Sequence, residues 1–78
     1  MEAYVGLDVH SKMSVFVISD ASGKVTARGE VPTTPHGLER LRTQYGVAAG
    51  TPVALETGTI AFYVARELQA LELAPVVI

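Results

Sequence analysis

The chain has 78 residues, 49% hydrophobic and 18% charged, which allows one small domain with a core barely sufficient for its size. Its 6 basic and 8 acidic residues leave a formal net charge of −2, arguing against nucleic-acid binding by surface charge alone. Without cysteine it has no disulfide or thiolate metal site; with no signal-peptide pattern and no apolar run near about 18 residues, it is expected in the cytoplasm, away from membranes.

Tyr4 to Val9 reads as a strand buried on both faces. His10-Ser11-Lys12 makes a turn, and Met13 to Ser19 resumes an apolar strand. Asp20 and Gly23 hold the preferred first and last places of a type I turn. From Lys24 to Val31 the pattern alternates, with Lys24, Thr26, Arg28 and Glu30 on one face and Val25, Ala27, Gly29 and Val31 on the other. That marks a strand with one wet face at a sheet edge.

The period then changes. Thr34 can cap a helix with Pro35 at its first position; Leu38, Leu41 and Tyr45 follow at helical spacing, and Gly46 can end it. Pro52–Glu56 reads as a fourth strand, and Thr57-Gly58-Thr59 leads into a second helix with Ile60, Val64, Leu68 and Leu71 on one stripe. Thr57-Gly58-Thr59 is expected to cap that helix, although its amides could also meet a phosphate. Arg40, Arg42 and Arg66 are expected on solvated helix faces, with Phe62 and Tyr63 as core and rim. Leu73–Ile78 begins a fifth, apolar strand, so the chain is expected to be a truncated, incomplete domain with an edge open to self-association. Right-handed crossovers then give an α/β mixed sheet in the order third, second, first, fourth, fifth.

Two carboxylates stand out against this pattern. Asp8 interrupts the run Tyr4–Val9 and Glu56 ends the run Pro52–Leu55. In strands buried on both faces each would cost several kcal/mol without a positive partner. On adjacent parallel strands the two acids repel, and a divalent cation is the simplest remedy. Asp8 shares its face with Gly6, and Glu56 with Ala54, which leaves space for ions and substrate. A carboxylate bonded to nearby amides or to Lys12, or a Glu56 favoured by the second helix dipole, are the structural alternatives. His10 and Lys12 read as a polar hairpin tip, and His36 as an exposed first-turn residue.

Gly6-Leu7-Asp8-Val9-His10, the hairpin at Gly23-Lys24-Val25, Val31-Pro32-Thr33-Thr34-Pro35-His36-Gly37-Leu38 and Val53-Ala54-Leu55-Glu56-Thr57-Gly58 occur in an order and spacing that resembles a known family. It is the bacterial insertion-sequence transposases with a RuvC-like DEDD catalytic domain, some of them recombinases guided by a bridge RNA. The resemblance spans essentially the whole chain and implies an RNase H-like (RuvC-like) fold over residues 1–78. It further implies DNA as substrate, a possible guide RNA, and Mg2+ or Mn2+ held by four acidic residues. Asp8 and Glu56 match the first two, as catalytic metal ligands; the other two aspartates would lie downstream. The chain departs from the family in having Thr57 directly after Glu56, one residue short of the usual spacing.

Two other readings remain. The Gly-x-Asp strand and Gly-Lys turn also suit a nucleotide-binding fragment of the actin-like or sugar-kinase type, although Val9-His10-Ser11-Lys12 offers no glycine for a phosphate loop. The third reading is a non-catalytic relic that oligomerises through its open sheet edge.

Overall fold

Three strands joined by tight turns form an antiparallel meander, and two helical crossovers then add parallel strands on its other side. In the computed structural model, which describes residues 2–56, 58 and 60–78, the elements are β1 (Ala3–Val9), β2 (Met13–Asp20), β3 (Val25–Pro32), α1 (Pro35–Thr43), β4 (Pro52–Leu55), α2 (Ala61–Ala70) and β5 (Ala74–Val77). They build one five-stranded sheet in the order β3-β2-β1-β4-β5, as the sequence predicts. β1 pairs antiparallel with β2 and parallel with β4; β5 extends the sheet parallel to β4.

The β3-to-β4 and β4-to-β5 connections step across the sheet in one direction. Right-handed crossovers that share a direction must lie on one face. Leu38 and Leu41 of α1 and Val64 and Leu68 of α2 accordingly form a single core with Val5, Leu7, Phe16, Ile18, Val53 and Leu55 of the sheet. Gly29 on β3 leaves room for the Phe16 ring, which also packs tilted against Tyr45 at a centroid distance of 4.6 Å.

The opposite face carries no described helix, and this corrects the expectation that β1 is buried on both faces. Tyr4, Gly6 and Asp8 of β1 are exposed, as is Val15 on β2 and Val76 on β5. The apolar runs are therefore one covered face interleaved with one open apolar face. No helix among the described residues is long and apolar enough to cross a membrane.

Local chemistry sets the element ends. Thr34 caps α1 by accepting from the Gly37 amide at 2.9 Å, with Pro35 at the first helical position. Gly37 is buried there, where an added Cβ would fall on the Pro32 carbonyl. In the β2–β3 turn Gly23 takes φ +87°, and Asp20 Oδ1 accepts from the Ser22 hydroxyl at 2.6 Å and the Lys24 amide at 3.0 Å. Between Ile18 and Ser19 the β2–β3 register skips Thr26, which breaks the strict alternation of β3 there and leaves Val25 exposed. Arg42 is no solvated helix residue: its guanidinium donates to the carbonyls of Leu71 (2.8 Å) and Val47 (3.2 Å), tying the end of α1 to the end of α2.

Gly37→Ala is expected to lower unfolding stability by about 1–3 kcal/mol, because overpacking against backbone outweighs alanine's better helix propensity; chemical denaturation reads it. The Ser22 hydroxyl, then the Lys24 amide, hold the Asp20 carboxyl below its ordinary range. A depressed folded-state pKa contributes stability above the unfolded value of about 3.9, lost as pH falls through the folded value. Thermal midpoints followed downward from pH about 5 should therefore fall less steeply for Asp20→Asn than for the wild type.

Candidate functional site

β1 and β4 are the parallel neighbours at the sheet centre. Their register pairs Gly6 with Ala54 and Leu7 with Leu55, so Asp8 and Glu56 are the next residues along each chain. Both point to the open face, since Leu7 and Leu55 are buried in the core. They border a broad cavity of about 960 Å3 whose floor is made by Gly6, Ala54, Val15 and Val17. No atom lies within 4 Å of where a Gly6 side chain would begin, so the space beside Asp8 is open.

Each acid follows one of the paired residues Leu7 and Leu55, but stands in water rather than in a buried sheet. The Asp8 side chain is 72% exposed, and Glu56 is exposed. The desolvation cost expected of a buried carboxylate does not arise. Two hydrated charges on neighbouring chain segments repel by only about 1 kcal/mol even at contact distance. The pair can therefore stand without a cation, and its suitability for one rests on donor type and placement. The register adds Glu30 to the same row, opposite Val15, which is opposite Asp8.

His10 is the residue whose place the sequence did not reveal. Its Nε2 lies 3.1 Å from Asp8 Oδ2. Spacing of two along an extended chain puts both side chains on one face, and that signal was readable. What the spacing could not show is the anchor beneath them. The Thr33 hydroxyl donates to the His10 carbonyl at 2.6 Å and lies 2.7 Å from the fully buried Ser14 hydroxyl, while the Thr33 amide donates to the Lys12 carbonyl at 2.9 Å. Thr33 thus pins the β1–β2 turn to the junction of β3 and α1. No buried side-chain polar atom among the described residues lacks a partner.

The remaining expectations divide. Thr57 and Thr59, read as a helix cap or phosphate cradle, lie outside the described residues. Ile60 is the α2 N-cap residue and makes no side-chain capping bond. Phe62 is 61% exposed, so it is no core residue, while Tyr63 is half-buried at the rim. Asp8 on β1 and Glu56 just after β4 offer hard oxygen donors, the type a divalent cation takes. Among the described residues no cluster of three or more His, Cys, Asp or Glu able to hold a metal occurs, so the two carboxylates by themselves do not make a complete site. Compared with protein-family models and with curated proteins, the chain matches none of either.

Thr33→Val keeps the volume but strips the hydroxyl, leaving Ser14 and the His10 carbonyl unpaired. The expected cost is about 1–3 kcal/mol in denaturation, with faster amide hydrogen exchange across residues 10–12. Adding Ser14→Ala should recover part of that loss, because removing both partners leaves fewer orphaned polar groups.

Proposed function

We propose that this chain is the first part of an RNase H-like, RuvC-type catalytic domain acting on DNA in transposition or recombination. Asp8 and Glu56 would be the first two acidic ligands of a Mg2+ or Mn2+ centre. The observation that carries the reading is the register of the two central parallel strands, which puts each carboxylate one step beyond the paired Leu7 and Leu55 and beside the small residues Gly6 and Ala54. The strand order and the motifs around Asp8 and Glu56 support it.

Divalent cations in such a site supply charge stabilisation to phosphodiester transfer and lower the pKa of an attacking water. The chain's own contribution is placement. β1 and the end of β4 bring the two carboxylates to neighbouring positions, and the open face beside Gly6 gives a phosphate backbone room to approach. With a net charge of −2, the protein attracts DNA poorly until cations offset the acids. The other acidic ligands would come from polypeptide outside these residues or from another chain, so catalysis by this chain alone is expected to be slight.

Calorimetric titration with MgCl2 and MnCl2 tests the reading. Saturable binding is expected, with Kd on the order of 1 mM, and lost in both Asp8→Ala and Glu56→Ala. Binding indifferent to the two substitutions, or none at all, would sink it. Saturable ATP binding by the wild type would instead favour a phosphotransferase.

A further inference from the structure

We infer that the free edge of β3 pairs antiparallel with the same edge of a second copy of this chain, in a register centred on Gly29 that joins two five-stranded sheets into one. The inference makes no use of the acidic pair and goes beyond the reading above by naming a surface and its partner.

Backbone direction selects the edge. The Thr33 amide donates to the Lys12 carbonyl at 2.9 Å, so Thr33 turns toward β2. Along an antiparallel pair, bonded and non-bonded positions alternate. Counting back through the register, Val31, Gly29 and Ala27 bond to β2, whereas Glu30 and Arg28 aim their N–H and C=O groups at the free edge. Pro32 belongs to that outward set and has no N–H, so the usable edge is short. The other edge of the sheet is β5. There Ala74 and Ile78 donate to the carbonyls of Thr51 and Leu55, so Pro75 and Val77 are the residues that face outward. Pro75 has no N–H to give, and a proline in that place blunts an edge. β3 is the edge with consecutive outward donors.

Side chains select the partner. Arg28 and Glu30 are exposed on the open face, and neither forms an ion pair among the described residues. A row of one sign would repel a second copy, but these two signs alternate. With Gly29 across from Gly29 of the second copy, each Arg28 stands directly opposite the other copy's Glu30. Those are also the positions whose main chains exchange hydrogen bonds in this register. On the helix side the same register sets Ala27 across from Val31, an apolar pair. Sliding by two residues either way would face Arg28 with Arg28 or Glu30 with Glu30, so charge fixes the register as well as the partner.

A ladder this short buries less than about 1,000 Å2, the size of a weak complex, so the test needs concentrated protein. Sedimentation equilibrium of the full chain at low salt should show a dimer with Kd on the order of 0.1–1 mM. Amide NMR shifts in a dilution series should change most across residues 27–31. Arg28→Glu and Glu30→Arg should each weaken association by about tenfold or more, because each sets like charges opposite one another. Mixed in equal amounts, the two variants should associate about as tightly as the wild type, since every cross-strand pair is again of opposite sign. Both substitutions combined in one chain should recover self-association for the same reason. A wild type that stays monomeric at about 1 mM would overturn the inference. So would a dimer unchanged by Arg28→Glu, which would put the contact on another surface such as the open apolar face. A mixture that stays monomeric would also overturn it, because the charges would then not face one another. The MgCl2 titration of the acidic pair reads independently of all these outcomes.

Discussion

The handedness of two crossovers governs this structure. α1 and α2 connect strands that step the same way across the sheet, so both lie on one face and the whole core gathers there. Leu38, Leu41, Val64 and Leu68 are fully buried against the sheet. At about 1.5–3 kcal/mol for each large apolar side chain removed from water, these contacts dominate the favourable side of folding. The same geometry leaves the other face open, and the acidic pair stands on that face.

Placement of the pair follows from strand direction. Parallel strands end at the same edge, so residues one step beyond Leu7 and Leu55 come side by side. An antiparallel β4 would have sent Glu56 to the opposite edge. Because the face is open, the carboxylates keep their hydration and need no cation to relieve burial. The small residues beneath them matter for the same reason, since a larger side chain at residue 6 or 54 would fill the cavity floor.

The buried hydroxyl pair Ser14–Thr33 links this site to the rest of the fold. An apolar pair would pack equally well, but it would leave the His10 carbonyl without its 2.6 Å partner. Thr33 bonds to the β1–β2 turn through both its hydroxyl and its amide, so the turn after Asp8 moves with the β3–α1 junction. At the far end of α1, Arg42 reaches two carbonyls through separate guanidinium nitrogens, a fork that lysine's point charge would not reproduce. α1 is thus fastened at both ends, and the anchor beneath His10 is part of that frame.

Much of the architecture was legible in local pattern. Period-two alternation, the Asp20–Gly23 turn, the Thr34-Pro35 helix start and the change to helical spacing are encoded within a few residues of one another, and connectivity with right-handedness then gave the strand order. The same rules put Asp8 beside Glu56. Exposure was not legible, because an apolar run reads alike whether its second face is covered or open, and only the position of both helices on one side decides between them. Partners distant in sequence were hidden for a related reason. Thr33 is 23 residues from His10, and Arg42 is 29 from Leu71. The sequence by itself determined which segments become strands and helices and where the acids fall along them. Only the tertiary structure decided that those acids stand in water and that buried hydroxyls hold His10 at Asp8, because solvent access and long-range hydrogen bonds exist only once the sheet has one covered face and one open face.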